Sequence, residues 1–294
     1  MVNNPFFILA NPRSGSSLLR IILDCNSNIT VPPECGFLLW WFEKYKSWDS
    51  SNTLNKNDIN TFVADIQSSK KFSTWKCSDR IIINEIVKKK PSNVQELFIS
   101  VYKSYENKRG KTNTVIGDKN NYYVKHLDAL NGIYENAKYI HLVRDGRDVA
   151  ASYQELDSLN SSSEFKPNLS FDIVEIAREW NDNNESIHDF LLKRKKECSV
   201  TIRFEDLILD TERTCREIVA FLGVEFDLDM LNYFNLNAKL GLEPKETLDW
   251  KKKTLSPIDK NVVGRHTKIF ENHDDNDFFK EGMFMLKRYG YVQG

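Results

Sequence analysis

The 294-residue sequence predicts an α/β fold in which a central parallel sheet is flanked by helices. Short apolar runs such as Phe6–Ala10 (FFILA) suit strands buried on both faces. Segments with a helical apolar period alternate with these runs, the pattern of parallel strands joined by crossover helices. No repeat, low-complexity tract or clear linker divides the chain. Residues 1–294 are therefore expected to form one domain, long enough to bury a sizeable core.

The elements follow in order. After Phe6–Ala10, a helix places Leu18, Ile21, Ile22 and Cys25 on one face. Val94, Leu97, Phe98, Val101, Tyr102 and Tyr105 repeat the spacing, and Arg109–Gly110 marks the stop. Thr114–Gly117 reads as a short strand, and Tyr123, Leu127, Leu130 and Tyr134 as a helix. Lys138–Arg144 (KYIHLVR) is a strand feeding a helix for which Asp145 is the N-cap. Ile173, Ala177, Trp180, Ile187 and Leu191 fit a long helix, Val200–Phe204 a strand, and Cys215–Leu222 a helix closed by Gly223. Asp157–Leu169 and Asn235–Asn276 show no period. Loops of that length inside a compact domain tend to be functional, so 235–276 is a candidate to fold back over a nucleotide or substrate.

Lys and Arg number 41 against 42 Asp and Glu, so no overall charge draws the chain to nucleic acid or an anionic membrane. An anionic ligand must be caught by local clusters. The five cysteines are scattered and lack CxxC spacing, which argues against a disulfide framework or a zinc site and for a reducing compartment. Residues 1–5 carry no basic n-region and the first apolar run is too short to span a bilayer, so a cytoplasmic protein without a transmembrane segment is expected.

Ligands of an open parallel sheet bind beyond the carboxyl ends of its strands. Three junctions there carry suitable chemistry. In NPRSGSS, Arg13 is a fixed cation, Gly15 permits close backbone approach, and Ser14, Ser16 and Ser17 add hydroxyls beside the free N–H groups of a helix start. Alone it also fits a turn with a serine cap. In LVRDGRDVAAS, Arg144 and Ser152 are placed to grip one phosphate together, although a surface ion-pair cluster would read the same way. In VIGDKNNYY, Lys119 follows a strand, where packing needs no lysine; a solvated charge is the alternative. A fourth stretch, TVPPECGFL, stiffens the approach to Glu34 beside apolar residues. That setting is expected to raise the carboxylate's basicity and make it a general base, and a helix-capping acid is the alternative.

Taken together, PRSGSSLL, PPECGFL, GDKNNYY and YIHLVRDGRDVAASY, in this order, resemble the sulfotransferases that use 3′-phosphoadenosine 5′-phosphosulfate (PAPS). The likeness is strongest to the tyrosylprotein and bacterial branch and weaker in VTIRFEDL and TCREIVAFLGV. It implies a P-loop-like sulfotransferase fold. Arg13, Ser14, Gly15, Ser16, Ser17 and Leu18 would surround the 5′-phosphosulfate, while Arg144 and Ser152 would hold the 3′-phosphate. Glu34 would be the base, Lys119 would stand near the sulfuryl group, and Arg13 would share in catalysis. VVGRHTK loosely resembles the nucleotide-covering segment, bringing in Gly264 and Arg265. Asn120–Asn121 depart from the Thr-Pro often seen there, and Arg13 and Glu34 depart from the lysine and histidine of cytosolic relatives. His126 and His141 read as structural. No metal is implied.

The acceptor implied is a hydroxyl of a small molecule, carbohydrate, lipid or peptide. Aromatic residues of Phe37–Trp48, most of which fit a core helix better, and the stretch Asp157–Leu169 are candidates to select it. Rival readings are a P-loop small-molecule kinase, disfavoured by the missing GK[ST] lysine, and a non-catalytic nucleotide-binding module.

Overall fold

The structure, a computed structural model, describes residues 4–157, 161–270 and 272–293. Five strands, β1 (Phe6–Leu9), β2 (Ile29–Thr30), β3 (Val115–Lys119), β4 (Lys138–Val143) and β5 (Ser199–Arg203), form one sheet in the order β2-β3-β1-β4-β5. Every pairing is parallel, with Phe6 opposite both Gly117 and Lys138 and Tyr139 opposite Ser199. The predicted α/β class is thus observed; β1, β3, β4 and β5 stand within two residues of their expected bounds, whereas the two-residue β2 was not expected. One difference matters: β3 runs through Lys119, so that lysine ends a strand rather than following one.

The helices are α1 (Ser16–Asp24), α2 (Phe37–Tyr45), α3 (Ser50–Leu54), α4 (Lys56–Ser68), α5 (Asp79–Lys89), α6 (Val94–Lys108), α7 (Leu127–Ile133), α8 (Gly146–Asp157) and α9 (Ile173–Leu192). They continue with α10 (Phe204–Leu209), α11 (Thr211–Leu222), α12 (Tyr233–Leu240), α13 (Leu248–Lys251), α14 (His266–Ile269) and α15 (Asn272–Arg288). The expected helix from Tyr123 divides into a 3₁₀ turn, Asn121–Lys125, and α7. The stretch 235–276 is not one loop. It holds α13, α14, most of α12, the start of α15 and several 3₁₀ turns.

Strand alternation sorts the core into two layers. Phe7 and Leu9 of β1 face Phe37, Trp75, Phe98 and Tyr139 on one side. Phe6 and Ile8 face Leu19, Ile22, Ile140 and Ile218 on the other. A further cluster, where Val149 and Tyr153 of α8 meet Trp180 of α9 and Phe278 and Met285 of α15, anchors the C-terminal helix. From β1 the chain moves toward β2 and from β4 toward β5. The strand order therefore reverses between β1 and β4, and the loops leaving these two neighbours open side by side.

Candidate active site

The loop after β1 turns twice through the left-handed region, at Arg13 (φ 65°) and at Gly15 (φ 91°). Gly15 is the N-cap of α1 and supplies no side-chain hydrogen bond, so the first-turn N–H groups keep their donor capacity. A Cβ on Gly15 would overlap the Phe204 ring. Glycine is thus needed for both conformation and space. Ser16 Oγ donates to Asn121 Oδ1 (3.3 Å), tying the loop to the one after β3. The serine-cap alternative is not what forms. Ser14 is buried, and its Oγ has no protein partner.

The loop after β4 supplies Arg144, 5% exposed. Its Nη1 donates to the Arg13 carbonyl (3.2 Å) and its Nη2 to the Val262 carbonyl (3.0 Å), while its Nε has no partner. The guanidinium lies over the Phe204 ring, 4.5 Å from the centroid. Arg13 Nε donates to Ser152 Oγ (3.1 Å) and Nη1 to the Trp250 carbonyl (3.2 Å). Arg265, also buried, binds Glu155 through Nη1 (2.7 Å) and leaves Nε and Nη2 unpartnered. Burial and the neighbouring Arg265 charge lower the pKa of Arg13. Burial, with Arg265 and Arg13 as like-charged neighbours and Asp148 giving partial relief, brings Arg144 down to about 10. Asp145 caps α8 by accepting from Arg147 N (2.9 Å). Asp148 instead anchors the far segment, accepting from Gly264 N (2.8 Å) and His266 N (3.0 Å).

Glu34 and Lys119 meet as an ion pair. Lys71 Nζ lies 3.1 Å and Lys251 Nζ 3.9 Å from the other Glu34 oxygen. The expected rise in basicity is not found. Burial alone would raise the Glu34 pKa, but the ammonium groups of Lys119, Lys251 and Lys71 outweigh it and hold the carboxyl well below its usual range. Burial also lowers Lys119 to about 8 in spite of Glu34.

These groups surround one cavity of about 540 Å³, a size suited to a nucleotide-sized ligand. Arg13, Gly15, Ser16, Ser17, Leu18, Glu34, Lys119, Arg144, Ser152 and Arg265 all line it; Ser14 and Gly264 do not. Its wall carries seven cationic side chains (Arg13, Lys71, Lys119, Arg144, Lys251, Lys253, Arg265) against Glu34, Glu155 and Asp259, an excess of four positive charges. Such a wall selects a polyanion. Residues 5–228, well over half the chain, match the sulfotransferase family. The chain belongs to that family.

The chain is 22% identical over 239 residues to protein-tyrosine sulfotransferase 1 of Danio rerio, covering 80% of this chain and 57% of the relative. To protein-tyrosine sulfotransferase 2 of Gallus gallus it is 20% identical over 235 residues, covering 80% and 55%. It therefore spans little more than half the length of the curated relatives it matches. Among solved structures, the sulfotransferase domain from the Synechococcus PCC 7002 olefin synthase superposes over 96% of this chain and 95% of that one, with a TM-score of 0.62 at 21% identity. The sulfotransferase domain from the curacin biosynthetic pathway covers 95% and 96%, with 0.58 at 18%. These two likenesses establish a shared fold.

Sequence reasoning missed Lys71, Lys251, Trp250 and Phe204 at the sulfotransferase cavity. None carries a local signal: Lys71 precedes a 3₁₀ turn, and Lys251 ends a four-residue helix. His141 accepts the structural reading, since it is buried against Asn184 (3.0 Å) and lowered to about 4 by burial. His126 sits between the 3₁₀ turn and α7, beside Tyr122. Of the Asp157–Leu169 stretch, residues 158–160 lie outside the described residues, while Phe165, Pro167 and Leu169 line the cavity. Among the described residues no helix is long and apolar enough to cross a membrane, and no group of three His, Cys, Asp or Glu is placed to hold a metal.

Proposed function

We propose that this sulfotransferase moves a sulfuryl group from PAPS to a hydroxyl acceptor and releases 3′-phosphoadenosine 5′-phosphate (PAP). The observation that carries this reading is the Arg13–Arg144–Arg265 cluster. Three guanidiniums converge in one cavity, with Arg144 Nε and Arg265 Nε and Nη2 buried and unpartnered. Glu155 and Asp148 balance part of this charge, and an anionic ligand would balance the rest. The wall's excess of four positive charges balances the charge of a phosphosulfate nucleotide that also bears a 3′-phosphate. The residues present therefore fit this ligand. Arg144, Ser152 and Arg265 would take the 3′-phosphate, and Arg13, Gly15, Ser16, Ser17 and Leu18 the phosphosulfate, with Ser14 and Gly264 in support.

PAPS supplies an activated sulfuryl group: the acceptor oxygen bonds to sulfur as the bond from sulfur to the bridging phosphate oxygen breaks, and PAP keeps that oxygen. Charge grows on the leaving oxygen, where Arg13, Lys119 and the N–H groups of Gly15–Ser17 stabilise it. Glu34 accepts the acceptor's proton. In the free protein its proton affinity is suppressed, but an anion arriving beside Lys119 gives those ammonium groups a second partner. A unit charge about 4 Å away is worth about 4 kcal/mol at an effective dielectric near 20, so partial neutralisation of one ammonium restores much of Glu34's basicity. Glu34 is thus ionised before the reaction and becomes basic when the co-substrate binds.

The acceptor's hydroxyl belongs to a small molecule, carbohydrate, lipid or peptide. All five cysteines are free and four are buried, which supports the cytoplasmic reading. A thermal-shift comparison tests the proposal. PAP should raise Tm at concentrations where ATP with magnesium does not. Stabilisation by ATP alone would favour a kinase instead, and failure of PAPS to give any sulfated product would leave a binding module.

A further inference from the structure

The charged side chains left after this assignment form a continuous chain of contacts beside the cavity. Arg20 is buried on α1, the helix that Gly15 opens. It donates Nη2 to Glu243 Oε2 (2.7 Å) and to the Leu242 carbonyl (2.9 Å). The other Glu243 oxygen accepts from Thr247 Oγ1 (2.6 Å) and from Lys251 Nζ (2.7 Å). Lys251 Nζ then reaches toward Glu34. The same short segment turns the Trp250 carbonyl to Arg13. Glu243, Thr247 and Lys251 all lie beyond residue 228, where the family match ends.

This arrangement answers a physical question. Lys119 and Lys71 already contact Glu34, and a third ammonium on a flexible four-carbon stem would be repelled from them. Glu243 supplies the counter-charge that keeps it there. Burial opposes ionisation of Glu243, but Lys251 and Arg20 outweigh that and hold its pKa at about 2, so the clamp is charged at neutral pH.

We infer that Lys251 is a positioning residue, clamped by Glu243 and Arg20 so that it fixes the Glu34 carboxylate and ties it to the helix bearing the phosphate loop. Its role in turnover rests on the reading of Glu34 as the base. The groups facing Glu34 are Lys119 at the end of β3, Lys71 before the Phe72–Trp75 turn, and Lys251 on α13.

The test is the titration of Glu34 itself, followed by carbon-13 NMR of labelled glutamate carboxylates and assigned with Glu34→Gln. Lys251→Met should raise the Glu34 midpoint by about one unit or more, the usual effect of losing a neighbouring opposite charge. Lys251→Arg should restore the low midpoint. Glu243→Gln, which keeps the side-chain volume, should raise it by a smaller amount and serves if Lys251→Met folds poorly. Lys252→Met is the control and should leave the midpoint in place, because Lys252 is exposed and does not line the cavity. An unmoved Glu34 midpoint in both Lys251→Met and Glu243→Gln overturns the inference. Calorimetry with PAP on the same wild-type sample separates the two ideas: absent binding sinks the nucleotide assignment, whereas normal binding with an unmoved midpoint sinks only the role of Lys251.

Discussion

Replacing Arg144 by methionine separates a ligand-binding arginine from a structural one. In the free protein the buried Arg144 charge is unfavourable: burial lowers its pKa to about 10, below the ordinary arginine value, which at about 1.4 kcal/mol per pKa unit amounts to about 3 kcal/mol. Methionine removes that burden but also removes the donors to the Arg13 and Val262 carbonyls, each worth about 1 kcal/mol. The two effects nearly cancel, so the unliganded variant should melt within about 1 kcal/mol of wild type. With PAP the balance changes, because truncating one member of a buried charge pair costs about 2–5 kcal/mol. A loss near 3 kcal/mol weakens binding on the order of 100-fold. Calorimetry with PAP and denaturant melts of the free proteins give the two numbers. Unchanged PAP affinity would refute the phosphate assignment. A weakened affinity matched by an equal loss of stability in the free protein would refute the electrostatic argument.

Three further outcomes are expected. Glu34→Gln should lower sulfated product in a mass-spectrometric acceptor screen by about 10²–10⁴-fold, the range for a general base, with PAP affinity changed only a few-fold; near-normal turnover would remove Glu34 from the reaction. Gly15→Ala should destabilise by about 1–3 kcal/mol through its left-handed backbone, and the clash with Phe204 should abolish the PAP thermal shift. Lys119 should titrate at about 8, as read by NMR of carbon-13 reductively methylated lysines, and lower still in Glu34→Gln. Its folded pKa lies below the unfolded value of about 10.4, so between these limits the unfolded chain holds more protons. The associated penalty is complete below about pH 8 and is relieved as the pH rises to about 10.4. A Lys119 midpoint at the ordinary lysine value would contradict this.

Four of the five described strands were legible because their signals are local. Phe6–Leu9 and Lys138–Val143 are apolar runs too short for helices, and Gly15, Asp145 and Gly223 mark helix ends through their own conformations. Arg13 and Arg144 were legible for the same reason, since each lies in the loop that follows an apolar strand. The 235–276 stretch was not. Its short helices are held by distant partners, as where Tyr233 Oη donates to the Ser256 carbonyl and Asn237 Nδ2 to that of Thr254. Such contacts leave no period. Glu34 shows the limit for the site: the sequence reveals its apolar approach, but the sign of its pKa shift depends on Lys71 and Lys251, which only the tertiary fold brings near.

The order of the strands also bears on how the protein is made. β1 is the first strand to be synthesised, yet it occupies the middle of the sheet. Both its edges stay open until Val115–Lys119 and Lys138–Val143 have been made, and an open apolar strand is a template for pairing with other chains. Refolding should accordingly lose yield steeply as protein concentration rises. Arg13 of the loop after β1 bonds to Ser152 of the helix after β4, so recovery of the proposed PAP binding should time the pairing of β1 with β4.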